Sequence, residues 1–222
     1  MQTLWKQESN VHPAFAPINA SLNDDWFLLS HELKLQRVHA QVLNSAGILN
    51  AGELSALIAA LEQIEREHAG KLVPDSPAED LHTWIELRLT ELAGEAGRKI
   101  HTARSRNDQV ATLLKMFVID AGIRLAVGLR ELSKLFCRRA QSWSNLVMPL
   151  QTHTQFAATG TAGFWALRYA VSFDHIRRHV EFCGGEWRQS CPLGSGAVTG
   201  SSISIDRAQQ ATGLGFVAPS WS

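Results

Sequence analysis

The sequence lacks the features that would place it in a specialised class. It has only three cysteines, Cys137, Cys183 and Cys191. They are odd in number and form no Cys-x-x-Cys pair, so free thiols in a reducing, cytoplasmic setting are the simplest account. Charge of one sign is not in excess: 21 Lys and Arg balance 21 Asp and Glu. A nucleic-acid or membrane-surface partner, for which a basic excess is expected, is therefore not indicated. No stretch approaches the roughly 18 apolar residues of a membrane span. The opening Met1-Gln2-Thr3-Leu4-Trp5-Lys6 has no basic region followed by an apolar one, so no export signal is expected. Convincingly alternating strands are absent too. What remains is 222 residues, 45% hydrophobic, enough to bury a sizeable core in one large domain or two modest ones.

The period that is present is helical. Leu28, Leu29, Leu33, Leu35, Val38 and Val42 recur at three- and four-residue steps, with Gly47 as a stop. A second helix is predicted from Gly52 to His68, with Leu54, Leu57, Ile58, Leu61 and Ile64 on one face. Pro74 and Pro77 punctuate a loop, after which Glu79 and Asp80 open a third helix through about Leu92, acidic at its start as the helix dipole favours. The longest pattern runs from Asn107 to Trp143, with Val110, Leu113, Leu114, Phe117, Ile123, Val127, Leu132, Leu135 and Phe136 expected along its buried stripe. A helix of about 36 residues spans roughly 54 Å, the length of a bundle member. Pro149 interrupts the pattern, and a further long helix is expected from Gln155 to Phe182. A Gly/Ser-rich loop, Pro192 to Ser204, and a short helix near Asp206 to Thr212 follow. The fold class expected is all-α, with a helical domain over 1–103 and a partial helical bundle over 104–222. Two long helices do not cover each other's apolar faces, so more bundle members are expected, later in the chain or from partner chains.

Arg104-Ser105-Arg106-Asn107-Asp108 puts two guanidinium groups, a hydroxyl, an amide and a carboxylate just ahead of the longest helix. Such a loop can hold a carboxylate substrate, because arginine offers a planar fork and a helix start adds amide donors. Read from the residues alone, it is more simply a helix start in which Asp108 is the cap and Arg104 and Arg106 are solvated. His175 and His179 are four apart on a predicted helix, a spacing compatible with metal binding. No third ligand accompanies them, and Arg177 and Arg178 favour a solvated basic face.

His101-Thr102-Ala103-Arg104-Ser105-Arg106-Asn107-Asp108-Gln109-Val110-Ala111-Thr112 resembles the first signature of the argininosuccinate lyases, within the fumarase/aspartase superfamily. Leu4-Trp5, Asn19-Ala20-Ser21, Glu79-Asp80-Leu81-His82, Met148-Pro149, Thr152-His153, Pro192 to Ala197 and Ile205-Asp206-Arg207 agree in order and spacing. The similarity covers essentially the whole chain but only the amino-terminal half of a full-length member. The resemblance implies cleavage of argininosuccinate to arginine and fumarate by removal of a proton β to the departing nitrogen, through an aci-carboxylate carbanion. It assigns substrate contact to Ser21 and Asn107, carboxylate support to Arg106, substrate binding to Thr152 and proton transfer to His153. His82 is either positional support for that site or a structural histidine. No cofactor and no metal are implied, and the partners implied are the small-molecule substrate and further subunits of a tetramer.

The chain departs from the family pattern in two places. Where members read Gly-Tyr-Thr-His-Leu-Gln-Arg-Ala-Gln-Pro, this chain reads Leu150-Gln151-Thr152-His153-Thr154-Gln155-Phe156-Ala157-Ala158-Thr159. Where they read Trp-Gly-Gly-Arg-Phe, it reads Trp5-Lys6-Gln7-Glu8-Ser9. Gly200-Ser201-Ser202-Ile203 imitates the third signature, Gly-Ser-Ser-x-Met-Pro-x-Lys-x-Asn, but Ser204-Ile205-Asp206-Arg207 follows it. That signature is expected beyond Ser222. Two readings compete: an argininosuccinate-type lyase seen in part, and an inactive paralogue that joins a full-length lyase in a mixed tetramer. A sister lyase acting on fumarate, aspartate or adenylosuccinate is disfavoured by the Ser-Arg-Asn-Asp-Gln run.

Overall fold

The computed structural model describes Ala14 and residues 18–221, and Leu4-Trp5 and the Trp5–Ser9 stretch lie outside the described residues. The chain is mostly helical and divides into two compact units.

The first unit comprises the chain up to Phe117 together with the residues from Gln189 onward. It starts with α1 (Leu22–Asp25) and a 3-10 turn (Trp26–Leu28), followed by α2 (Leu29–Ser45), α3 (Ala51–His68), α4 (Leu81–Ala93) and α5 (Glu95–Lys99). The apolar periods place Leu33 and Leu43 of α2, Leu57, Leu61 and Ile64 of α3, and Leu81, Ile85 and Leu89 of α4 in one core. The ends of these helices are written locally. Asn50 and Glu53 exchange side-chain-to-backbone bonds of 2.9 Å in a capping box at α3. Asp80 accepts the Thr83 amide at 2.6 Å and caps α4. Past Gln189 come β3 (Ser190–Cys191), α8 (Arg207–Leu214) and β4 (Ala218–Pro219), with β3 and β4 pairing in parallel. Asp206 caps α8 through the Gln209 amide, and Gly215 ends it in the left-handed conformation.

The long helix α6 (Arg106–Ser142) belongs to the first unit as far as Phe117 and to the second beyond it. The second unit also holds β1 (Val147–Thr152), β2 (Gln155–Thr161) and α7 (Ala162–Arg188). Within it α6 and α7 pack antiparallel, with Ser133 donating to the Ala170 carbonyl at 2.9 Å and Phe136 against Tyr169 and Phe173. Gly163 sits so close to the backbone of Ala140 and Ser144 that a Cβ there would clash.

Two sequence expectations are corrected here. The helix expected from Gln155 begins only at Ala162, because residues 155–161 pair with 147–152 as an antiparallel hairpin. Thr161 marks the boundary: its hydroxyl accepts the Phe164 amide at 3.0 Å, capping α7. The buried stripe of α6 is also narrower than expected. Leu113 is buried, but Val110, Leu114, Ile123, Val127, Leu132 and Leu135 are 41–54% exposed. Met116, Ile119, Ala126 and Leu129 are buried instead. A helix with one packing partner covers one stripe, and the remaining apolar positions lie on faces left exposed by the described residues. Among the described residues no helix is long and apolar enough to cross a membrane.

Candidate active site

The signature run opens α6 with a local side-chain cap. Ser105 Oγ accepts the Asn107 amide at 3.3 Å, and the Asp108 carboxylate accepts the Ser105 amide at 3.0 Å. Ser105, rather than Asp108, is thus the cap of α6. Asp108 is buried, and its second oxygen accepts the amides of Gly194 and Gly196 at 3.1 and 2.7 Å. One carboxylate therefore ties the start of α6 to the Pro192–Ala197 loop, where both glycines have positive φ. Replacing Asp108 with Asn keeps an acceptor but removes the charge that strengthens these bonds. We expect D108N to lower the stability of the first unit by about 1–2 kcal/mol in urea unfolding.

Neither arginine of the run is freely solvated. The Arg104 side chain is fully buried, donating to Gln36 at 3.0 Å and to Glu86 at 3.4 Å. The same Glu86 oxygen lies 3.2 Å from Arg106 Nη1 and 3.0 Å from His101 Nδ1. Burial raises the pKa of Glu86, but His101 and the two guanidinium groups outweigh it and leave the carboxyl below its ordinary value. Arg106 is 20% exposed, also donates to Gln109 at 2.7 Å, and stands 3.8 Å from Asp80. Its Nη2 is buried without a hydrogen-bond partner.

Behind these residues lies a polar stripe on α2 that the sequence reading missed. Glu32, Gln36 and His39, spaced four and three apart, are all fully buried. Glu32 accepts from Gln36 and Gln109 and lies 3.1 Å from His82. Burial raises its pKa, but His82, Arg104 and Gln36 overcome that and hold the carboxyl down to about 2. His39 faces the Thr102 carbonyl at 3.0 Å and Gln210 at 2.7 Å. Burial, together with the Arg104 charge, pushes its pKa well below the ordinary imidazole value. The signal available beforehand was three polar residues on what is otherwise the apolar face of α2.

The predicted site residues divide between the units. In the first, Ser21 donates its backbone N–H to the Glu79 carbonyl at 2.7 Å and its hydroxyl to Asp25 at 2.6 Å. His82 is buried in the first turn of α4 against Glu32. Asn107 is exposed, and its amide donates to Ser105 Oγ at 3.2 Å. Thr152 and His153 belong to the second unit, at the tip of the hairpin. His153 and Thr154 form its two-residue turn with φ of 51° and 61°. Such a turn normally takes Asn-Gly, because positive φ at both positions strains residues with a Cβ and β-branched ones most. We expect Thr154→Gly to stabilise the second unit by about 1 kcal/mol in thermal unfolding. Among the described residues no group of three or more His, Cys, Asp or Glu is placed to hold a metal.

Comparison with known proteins identifies the lineage of this arrangement. A family profile described as Lyase matches residues 7–220. The argininosuccinate lyase of Acidobacterium capsulatum is 38% identical over 216 residues, covering 94% of this chain and 44% of that protein. That of Nostoc sp. strain PCC 7120 is 38% identical over 217 residues, covering 96% of this chain and 46% of that protein. The chain thus spans about half the length of the curated relatives it matches. Among solved structures, an EDDS lyase variant with bound fumarate superposes with a TM-score of 0.74 at 20% identity, covering 92% of this chain and 41% of that one. The fumarate lyase:delta crystallin from Brucella melitensis bound to cobalt gives 0.73 at 16% identity, over 92% of this chain and 49% of that one. These two likenesses concern the fold. The match across residues 7–220 makes this chain a member of the lyase family, similar over nearly its whole length to part of an argininosuccinate lyase.

Proposed function

We propose that the chain supplies two of the three parts of an active site that cleaves argininosuccinate to arginine and fumarate. The observation that carries this reading is Arg106: a guanidinium gripped by Glu86 and Gln109, 20% exposed, next to the exposed side chain of Asn107. A clamped cation that still reaches the surface beside an amide suits a substrate carboxylate. Ser21 and Asn107 contact the succinyl end, and Arg106 supports its carboxylate. His82 acts through Glu32 and Gln109 to keep the start of α6 in position. Thr152 binds substrate, and His153 handles proton transfer. In the reaction a base removes a proton from the carbon β to the departing nitrogen, and the electron pair delocalises into the adjacent carboxylate. The carbon–nitrogen bond then breaks with protonation of the leaving guanidino nitrogen, giving fumarate and arginine. The reading is tested by titrating the chain with fumarate and following the Asn107 and Gly196 amides by NMR. Arg106→Met should weaken binding at least tenfold, and an unchanged affinity would remove Arg106 from the carboxylate site.

A second reading, a helical partner of a full-length lyase, is favoured by the second unit itself. An open cleft of about 600 Å³ between α6 and α7 is lined by Val118, Leu125, Ile176, Val180 and Trp187. Phe164, Val171 and Phe182 lie 59–67% exposed on α7. Surfaces this apolar are covered by other helices in bundles, which fits a homotetramer or a mixed tetramer with a full-length paralogue.

A further inference from the structure

Outside the candidate active site, α7 carries two histidines whose Nε2 atoms stand within hydrogen-bond distance of each other. His175 and His179 are one turn apart on its exposed face, with ring centroids 4.6 Å apart, planes tilted by 32° and Nε2 atoms 2.7 Å apart. The neighbouring carboxylates are already engaged. Asp174 pairs with Arg177 and Arg178 at 2.7 and 3.0 Å, and Glu181 pairs with Arg177 and Arg130 at 2.6 and 3.1 Å. Arg178 shares the rim of the shallow cleft with the two histidines and is drawn towards Asp174.

We propose that His175 and His179 form a bidentate chelate for a divalent transition-metal ion of tetragonal preference, Cu²⁺ ahead of Ni²⁺ and Zn²⁺. The bite of the pair selects the geometry. Two imidazole nitrogens about 2.0 Å from a shared ion stand roughly 2.9 Å apart at adjacent corners of a square and roughly 3.3 Å apart at a tetrahedral angle. The observed 2.7 Å separation reaches the square arrangement with a small opening and falls well short of the tetrahedral one. Imidazole suits copper and nickel, and Cu²⁺ heads the affinity order for nitrogen sites of a given geometry. Four-residue spacing keeps both rings on one side of the helix, so the chelate costs no backbone change. No third ligand of the His, Cys, Asp or Glu type joins them among the described residues, so water fills the other positions.

The test uses the full chain with C137S and C183S, which removes the exposed thiols as competing ligands. Ni²⁺ affinity is measured by calorimetry and Cu²⁺ coordination by electron paramagnetic resonance. We expect one site whose Cu²⁺ signal shows coupling to two nitrogens, with H175N and H179N each weakening Ni²⁺ at least tenfold. Val171 is 59% exposed and four residues before His175. V171H combined with H179N therefore rebuilds the pair one turn earlier and should restore affinity to within about threefold. That rescue also separates loss of a ligand from loss of fold. Single variants that bind like the parent, or a rescue variant that stays weak with its helicity intact, would overturn the proposal.

Discussion

Arg104→Met unfolds the first unit at a clearly lower urea concentration, with a loss of about 3–5 kcal/mol, while Arg106→Met costs less than half as much. The difference follows from burial. Arg104 has no solvent contact and sits between Gln36 and Glu86, with the charge of Glu32 also acting on it. Methionine fills a similar volume but leaves Gln36 Oε1 without its donor and the buried carboxylates short of a counter-charge. Arg106 is 20% exposed, so water replaces part of what its loss removes. Urea titrations followed by circular dichroism measure both. A loss below about 1 kcal/mol for R104M would mean that the network is not what holds the start of α6 in place.

The second large effect is acid lability of the same unit. His39 has a folded pKa well below the ordinary value of 6.5, so folding requires its neutral form. Its contribution is complete above pH 6.5 and is lost as pH falls, because the unfolded chain then takes up a proton that the folded one refuses. Glu32 works in the same direction at lower pH. With its carboxyl held at about 2 against 4.5, its contribution is complete above 4.5 and is lost between there and about 2. Stability should therefore be level from neutrality to about pH 9, above which the buried Cys191 thiol opposes folding, and fall by up to about 1.4 kcal/mol per pH unit below pH 6.5, more steeply below 4.5. His39→Asn should remove most of the first phase, leaving the smaller share of His68, whose pKa burial also lowers, and should leave the second intact. If the variant keeps a slope between pH 6.5 and 4.5 equal to that of the natural chain, the first phase belongs to another group.

The helices of the first unit were legible because apolar spacing and capping residues coincide. Asn50 with Glu53, Asp80 and Asp206 each stand at the boundary their chemistry predicts. The hairpin was hidden because residues after Gln155 continue the apolar period of α7. Only Pro149 in its first strand and Thr159-Gly160-Thr161 at its end break the helical pattern, and its turn uses His153-Thr154 where Asn-Gly is usual. The width of the α6 stripe was misread because periodicity reports which faces are apolar, and not which of them this chain covers. At the candidate site the signature run marked where charged and polar side chains gather, but their partners are long-range. Asp108 meets glycines 86 and 88 residues away, and Gln109 meets Glu32 across 77. Spacing within the run carries no information about those contacts.

If these residues hold two parts of a lyase site, with His153 in the second, the chain should complement a lyase that lacks that part. The most direct test mixes the chain with a full-length argininosuccinate lyase that has lost its own counterpart of His153, and follows fumarate release from argininosuccinate. We expect no release from either protein alone, release from the reassociated mixture, and none when the added chain carries His153→Asn. A mixture that stays inactive, or one whose activity survives H153N, would contradict it.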